Sequence, residues 1–180
     1  MSQSVRLHDK SFVPYLEHID ILAGIERLAE DINSRYPETV PLLISVLNGA
    51  FRFTADLVTF LEIPIEIAFV QIASYAGTTS TGEVNIIRGV DVPVQGRDLI
   101  LLEDIIDSGR TLHHFCSFLE KDHPRSIRIY ALLRKPDVVQ FTLPETKVAF
   151  DIPDRFVVGY GLDYDGLGRD LNDIYQLANS

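Results

Sequence analysis

The sequence predicts an α/β fold in which a mainly parallel sheet is flanked by helices. Apolar runs of strand length alternate along the chain with stretches in which apolar residues recur at helical spacing. One run, residues 99–102, is apolar at every position, which is typical of a strand that is covered on both faces. With 180 residues, of which 46% are hydrophobic, the chain can bury a sizeable core within one domain.

The predicted elements follow one another as a helix and then β-α-β-β-β-α-β, with short strands at the end. Asp20 is a candidate N-cap of the first helix, which ends where Pro37 follows. Residues 1–18 show no clear period, and the Gly- and Thr-rich residues 72–83 predict a mobile loop. Further helices are predicted after residue 49 and from about residue 111, and strands at residues 41–47, 65–70, 84–87, 99–102, 127–133, 147–150 and 156–160.

Composition limits the possible partners and compartment. The net charge of −10 argues against nucleic acid as a partner, because a nucleic-acid-binding protein needs a basic face. The single cysteine, Cys116, excludes an internal disulfide and a cysteine-based metal cluster. Since there is neither a signal-peptide pattern nor an apolar run near the roughly 18 residues of a membrane span, we expect a cytoplasmic protein without a membrane partner.

The most informative stretch begins where the strand at 99–102 ends. The turn-prone pair Ser108-Gly109 follows, and a helical pattern starts near Thr111. Free backbone N–H groups and the helix dipole make such a corner suitable for phosphate. Gly109 can adopt a positive φ, and Ser108 and Thr111 add hydroxyl donors. The alternative is an ordinary Asp-Ser-Gly turn in which Asp107 caps the helix.

Two adjacent acids, Glu103 and Asp104, directly follow the buried run. Carboxylates repel phosphate, and unpaired acids at the end of a buried strand are costly. Sugar hydroxyls or a divalent cation would satisfy them. The stretch therefore predicts a ligand that carries both a phosphate and a sugar diol.

The segment Glu103-Asp-Ile-Ile-Asp-Ser-Gly-Arg-Thr111 resembles the signature of the type I phosphoribosyltransferases, in particular the hypoxanthine branch. A second specific match is IPDRFVVGYGLDY at residues 152–164, and the resemblance spans roughly residues 40 to 175. It implies one domain over residues 1–180, with a mainly parallel five-stranded core sheet at about 20–150. A small hood would come from about 1–19 and 151–180.

The resemblance also implies roles around the first motif. Asp107 would be the catalytic acid/base for the purine imidazole. Glu103 and Asp104 would hold the ribose hydroxyls and, together with Asp163, bind Mg²⁺. The 5′-phosphate would be anchored by Asp107, Ser108, Gly109, Arg110 and Thr111.

For the base, the family places a purine-reading lysine at Lys135. An ammonium group has three donors and no acceptor, which suits a 6-oxo group and not a 6-amino group. Phe156 would stack on the purine, Val157 would present backbone groups to its 2-position, and Asp163 would flank its edge. Without the family context, Lys135 is an ordinary solvated lysine, and Phe156 and Val157 are core strand residues.

Pyrophosphate would bind at Leu47, Asn48 and Gly49, with Arg169 as a clamp. The family implies a cis peptide between Leu47 and Asn48, whereas Asn-Gly alone indicates only a turn. A flexible lid would include Ser74 and Tyr75, the alternative being a hairpin loop. Two departures from the family pattern are Asn48, where some members have a basic residue, and Gly168, where many have an aromatic residue.

The resulting hypothesis is a purine salvage enzyme with small-molecule substrates. It would join a 6-oxopurine, hypoxanthine and also guanine, to 5-phosphoribosyl diphosphate, giving IMP or GMP and pyrophosphate. The family suggests a homodimer or homotetramer. Two alternatives stay open: a non-catalytic regulator that senses the phosphoribosyl compound, and a related enzyme for adenine or a pyrimidine.

Overall fold

The computed structural model describes residues 3–73, 85–90 and 92–178. In chain order its helices and strands are β1 (Val5–Leu7), β2 (Lys10–Leu16), α1 (His18–Arg35), β3 (Leu42–Leu47), α2 (Phe51–Thr59), β4 (Glu66–Ala73), β5 (Asn85–Arg88), β6 (Asp98–Ile106), α3 (Arg110–Leu119), β7 (Ser126–Arg134), β8 (Thr146–Asp151), β9 (Val157–Val158) and β10 (Ile174–Leu177). Short 3₁₀ helices lie at Glu120–Asp122 and Pro136–Val138. No helix in these ranges is long and apolar enough to cross a membrane.

The larger sheet has the strand order β5-β4-β3-β6-β7-β8. Five of its strands are parallel, and β5 runs antiparallel along the edge of β4. Ile100 and Leu102 of β6 pack into the core beneath α1 and α2, whereas Leu99 and Leu101 pack into the core beneath α3. Both faces of β6 are therefore covered, which explains the unbroken apolar run and confirms the predicted α/β fold.

A second sheet is formed by strands from the two ends of the chain. Its order is β1-β2-β10-β9, its pairings are antiparallel, and Phe12, Val158 and Tyr175 form its small core. The apolar residues of 1–18 show no clear periodicity in the sequence, and β10 was not predicted. These strands are short and mostly only half-buried, so their apolar residues leave little alternation to detect.

Three details of the sequence prediction were wrong. Asp20 is not an N-cap, because α1 already begins at His18, whose N–H donates to Asp173 Oδ1 at 2.8 Å. Strand β6 continues to Ile106, so Glu103 and Asp104 lie within the strand and not after its end. The last predicted strand is reduced to β9, because Gly159, with φ of +100°, turns the chain. The predicted loop at 72–83 lies, from residue 74 onward, outside the described residues.

Candidate active site

The predicted site residues meet at the carboxyl end of β3 and β6. Parallel strands end at the same edge of a sheet, where ligands bind in folds of this class. A cavity of about 440 Å³ opens there. Its lining includes most of the predicted phosphate, ribose, pyrophosphate and metal residues, namely Leu47, Gly49, Glu103, Asp104, Asp107, Ser108, Gly109, Arg110, Thr111, Asp163 and Arg169.

The loop between β6 and α3 leaves backbone donors available to a ligand. Gly109 is the N-cap of α3 with φ of 79°, and no side chain caps the helix. The alternative role of Asp107 as N-cap is therefore wrong. Because Gly109 has no side-chain oxygen to accept the first amides of α3, those amides and the helix dipole can act on an anion. Ser108 Oγ accepts only a long bond, 3.4 Å, from the Arg110 N–H.

The two strand acids lie half-buried beside each other at the cavity wall. Burial, followed by the negative charge of Asp104, raises the pKa of Glu103 well above its usual range. Burial also raises the pKa of Asp104, although its carboxylate accepts the Ile105 N–H at 2.8 Å and feels the charge of Arg169. The pair therefore holds a proton more tightly than isolated carboxyl groups do, unless a cation or a set of hydroxyl donors is bound.

The acid pair fits Mg²⁺ as a resident ion. Glu103 Oε2 is buried and has no hydrogen-bond partner. Mg²⁺ is usually held by one or two carboxylates plus substrate phosphates and water, so a cage of three protein ligands is not required. Within the part of the chain that the structure describes, no group of three or more His, Cys, Asp or Glu side chains is arranged to hold a metal. A cation would therefore be shared between the acids and a bound phosphorylated sugar.

Residues 47–49, where we predicted that pyrophosphate binds, lie directly against the carboxylate of Asp104. The Leu47–Asn48 peptide is cis, as the family resemblance implied. A Cβ on Gly49 would overlap the Asp104 carboxylate, and a Cβ on Gly161 would overlap the Gly49 carbonyl oxygen. Only glycine fits at either position. The side chain of Asn48 is exposed and is not part of the cavity lining.

Sequence reasoning had not singled out Gly161 as a site residue. The only available signal was the Gly-Tyr-Gly pattern within the second motif. Since this glycine packs onto the pyrophosphate loop, it links the segment that carries Asp163 to the core sheet.

Arg169 is fixed at the cavity by two contacts. Its guanidinium forms a 2.7 Å ion pair with Asp163 Oδ1 and donates a 2.7 Å hydrogen bond to the Gly161 carbonyl. Asp163 Oδ2 in turn accepts the Gly166 N–H at 2.8 Å. The predicted clamp and the predicted metal ligand are thus paired with each other. Nearby Gly168 has φ of +101°, and its missing Cβ would approach Leu7, so an aromatic side chain does not fit this backbone.

Lys135, the predicted purine-reading lysine, lies beside the loop of residues 107–111. Lys135 follows β7 and is 8% exposed, so the interpretation of a solvated lysine is wrong. Its Nζ lies 3.5 Å from Asp107 Oδ2 and 3.0 Å from Asp154 Oδ1. Sequence reasoning missed Asp154. The neighbouring cation, Arg134, donates hydrogen bonds of 2.7 and 2.9 Å to the Asp151 carboxylate.

Phe156 and Val157 differ in their exposure. Phe156 is 43% exposed and is therefore not a core strand residue, so its ring remains available for stacking. Val157 is buried and its backbone pairs with Gln176. Neither residue lines the 440 Å³ cavity. The predicted lid residues, Ser74 and Tyr75, lie outside the described residues.

A larger cavity of about 770 Å³ lies elsewhere, near the end of α3. Its lining includes Val92, Pro93, Val94 and Phe118, and none of its described lining residues is a predicted site residue. Size therefore does not identify the site, whereas the convergence of acids, free amides and an arginine does.

The chain is similar to known proteins over most of its length. The family model described as phosphoribosyl transferase domain matches residues 14–165. The hypoxanthine-guanine phosphoribosyltransferase of Mycobacterium tuberculosis is 43% identical over 161 residues, covering 86% of this chain and 80% of that protein. The enzyme of the same name from Bacillus subtilis is 41% identical over 153 residues, covering 84% of this chain and 85% of that protein.

Solved structures show the same similarity in three dimensions. The hypoxanthine phosphoribosyltransferase of Staphylococcus aureus superposes with a TM-score of 0.88 at 33% identity, covering 92% of this chain and 91% of that one. The hypoxanthine-guanine phosphoribosyltransferase of Bacillus anthracis, crystallised with HEPES in its active site, gives a TM-score of 0.87 at 32% identity, covering 92% of this chain and 98% of that one.

Proposed function

The chain belongs to the phosphoribosyltransferase family, and on that premise we propose that it transfers the 5-phosphoribosyl group of 5-phosphoribosyl diphosphate to hypoxanthine, and also to guanine. The products are IMP or GMP and pyrophosphate. The observation that carries the proposal is the corner between β6 and α3. There the acids Glu103 and Asp104 and the uncapped amides of α3 line one cavity with Arg169. A sugar phosphate with a diphosphate leaving group matches that set of charges and donors.

The residues act on three parts of the substrates. The loop of residues 107–111 holds the 5′-phosphate through its amides and hydroxyls. Glu103 and Asp104 accept hydrogen bonds from the ribose hydroxyls, and Arg169 stabilises charge on the leaving pyrophosphate. Asp107 exchanges the proton of the purine imidazole as the bond to the anomeric carbon forms. Its position fits this task because it is the first residue of that loop and its Oδ2 lies 3.5 Å from Lys135 Nζ.

We assign Mg²⁺ to the same cavity, with Glu103 and Asp104 as protein ligands and Asp163 beside them. The bound ion would neutralise phosphate charge in a protein whose net charge is −10. The buried, unpartnered Glu103 Oε2 supports this assignment. Asp163 would be the third ligand, with Arg169 paired to its Oδ1.

For the base, Lys135 supplies donors to the 6-oxo group, Phe156 stacks on the ring and the backbone of Val157 faces the 2-position. Support comes from the burial of Lys135 next to Asp107 and from the exposed ring of Phe156. The relatives described above are named as hypoxanthine and hypoxanthine-guanine enzymes, which supports a 6-oxopurine enzyme over a regulator or an adenine enzyme.

We also propose one domain, with the small sheet of the two chain ends as the hood, and assembly into a homodimer or homotetramer. Assembly is supported by exposed apolar side chains on α2 and β4, namely Phe51, Ile67 and Phe69. We expect the enzyme to work in the cytoplasm, where the free thiol of Cys116 stays reduced. Sedimentation analysis of the purified protein tests the assembly, and a monomer at micromolar concentration would contradict it.

The activity is tested with labelled purines, 5-phosphoribosyl diphosphate and Mg²⁺. We expect nucleotide from hypoxanthine and guanine and none from adenine. Omission of Mg²⁺, with a chelator present, should abolish turnover. Nucleotide from adenine alone would favour the alternative enzyme, and the absence of product from every purine would favour the regulator.

A further inference from the structure

Asp154 lies closer to Lys135 than Asp107 does. The 3.0 Å distance from Lys135 Nζ to Asp154 Oδ1 is that of an ordinary charge-assisted hydrogen bond, whereas the 3.5 Å distance to Asp107 Oδ2 is at the limit of one. We propose that Asp154 is a positioning residue for base recognition. It holds the Lys135 ammonium group toward the purine and keeps it from closing onto Asp107. This inference rests on the function proposed above.

The Lys135 ammonium group is buried. The Lys135 side chain is only 10% exposed, while the carboxylates of Asp107 and Asp154 are 63% and 61% exposed. A buried ammonium group needs acceptors because it has lost its water. Among the described residues those acceptors are the two aspartates. Since an ammonium group has three donors, one remains for a 6-oxo group.

Backbone hydrogen bonds fix both Lys135 and the segment that carries Asp154. The Lys135 N–H donates to the Ile106 carbonyl at 2.9 Å, which ties it to the end of β6. On the other side, the Ile152 N–H donates to the Arg134 carbonyl at 2.8 Å, which ties the segment of Asp154 to the end of β7. The contact between Lys135 and Asp154 therefore joins two anchored pieces of backbone and is well suited to set the position of Nζ.

Asp154 pairs with Lys135, and among the residues that the structure describes no second cation forms an ion pair with it. The adjacent residue, Arg155, donates to the side chain of Gln176 on β10. Asp154 is thus directed to Lys135. Without its carboxylate, Asp107 would be the remaining anionic partner of Lys135 Nζ in the described structure, and the ammonium group would shift to it. Lys135 would then lie farther from the 6-oxo group, and the Asp107 carboxylate would be tied to the cation.

Steady-state kinetics of Asp154→Asn test this proposal. We expect the KM for hypoxanthine to rise about tenfold, in line with the loss of a charge-assisted contact. The KM for 5-phosphoribosyl diphosphate should stay within about twofold, because the phosphate loop is untouched. Asp154→Glu keeps the charge and should recover part of the loss. Asp137→Asn is the matched control, since Asp137 is exposed, close in sequence and equally charged.

A double-mutant cycle separates positioning from a structural role. In a Lys135→Ala background, Asp154→Asn should have little further effect on the KM for hypoxanthine, because its target is gone. Equilibrium binding of IMP to each variant supplies a readout that is independent of turnover. If Asp154→Asn does not fold, Asp154→Glu and Asp154→Ser are measured in the same two backgrounds.

The outcomes are distinct. Wild-type protein that makes no nucleotide from any purine contradicts the proposed function and this inference with it. Active wild type with an Asp154→Asn variant equal to Asp137→Asn overturns the inference alone. Effects of Asp154→Asn that persist undiminished in the Lys135→Ala background also overturn it, as do equal rises in KM for both substrates.

Discussion

At the scale of single residues, the carboxylates of the site differ in their surroundings. Asp107 is mostly exposed and lies beside the Lys135 ammonium group, which suits the proton exchange proposed for it. Glu103 and Asp104 lie half-buried side by side, and desolvation raises the pKa of both. Their different surroundings suit these carboxyl groups to the different roles proposed above.

Replacement of Asp107 tests the proton-transfer role. Asp107→Asn keeps the shape of the side chain and removes its basic oxygen. We expect kcat to fall by about 10²–10⁴, with binding of 5-phosphoribosyl diphosphate largely kept because the loop amides remain. Rapid-quench kinetics and equilibrium binding measure the two effects. Turnover equal to wild type would remove Asp107 from the mechanism.

Replacement of Glu103 tests the cost of the buried acid pair in the metal-free protein. Because the pKa of Glu103 is raised in the folded state, the native protein binds this proton more tightly than the unfolded chain. The contribution to stability is therefore lost as pH rises from the usual carboxyl range to the raised pKa. As pH rises above the usual carboxyl range, wild type should lose more stability than Glu103→Gln.

Urea denaturation in the presence of a chelator, at several pH values, measures this difference. Comparison of the two proteins cancels shared contributions, such as the pKa of Asp151, which Arg134 lowers. Parallel pH profiles for the two proteins would show that Glu103 is not held protonated by its surroundings.

At the scale of elements, the site depends on three stacked segments. Gly161 packs on Gly49, and Gly49 packs on the carboxylate of Asp104. Because Gly49 and Gly161 have no side chains, the loop after β3 can approach both strand β6 and the turn after β9 closely. This contact sets the relative positions of the residues proposed to bind pyrophosphate and Mg²⁺.

A methyl group at residue 49 should disrupt the stack. Because its Cβ would overlap the Asp104 carboxylate, Gly49→Ala must displace either the loop or the acid. We expect kcat/KM to fall by about 10²-fold, as misplaced catalytic groups commonly do. Gly96→Ala is the control for replacing a glycine, since no atom lies within 4 Å of the Gly96 Cβ position, although its φ of +69° is unfavourable for alanine. A Gly49→Ala enzyme as active as Gly96→Ala would contradict the stacking argument.

The same scale shows what sequence can predict. The parallel strands and the acid-rich corner were found because β6 is apolar on both faces and its acids stand out at once. The roles of Lys135 and Arg169 came from family resemblance, since a single cation carries no periodic signal. Asp154 and Gly161 were missed because each acts through a partner distant in sequence. The small antiparallel sheet was missed because its pairings join opposite ends of the chain.

At the scale of the whole molecule, the two sheets are joined near the site by Arg52 on α2. Its guanidinium donates to the Leu171 carbonyl at 2.8 Å, the Asp170 carbonyl at 3.2 Å and Asn172 Oδ1 at 3.0 Å. It also lies 4.8 Å from the centre of the Tyr160 ring. The segment that follows Arg169 is therefore attached to α2 through this side chain.

Removal of this side chain should loosen the attachment. We expect Arg52→Ala to lower the free energy of unfolding by about 1–3 kcal/mol and to raise the KM for 5-phosphoribosyl diphosphate more than that for hypoxanthine. Denaturant titration and steady-state kinetics measure both. Arg27→Ala is the control, because Arg27 is exposed, donates to the Ala23 carbonyl of its own helix and, like Arg52, lies over an aromatic ring, that of Phe150. Equal behaviour of the two variants would show that Arg52 does not couple the sheets.

The position of the phosphoribosyl group is the central claim, and a crystal structure of the protein with bound IMP and Mg²⁺ measures it most directly. We predict that the 5′-phosphate contacts the amides of residues 107–111 and that the ribose hydroxyls contact Glu103 and Asp104. A nucleotide bound elsewhere, with this corner empty, would contradict the account.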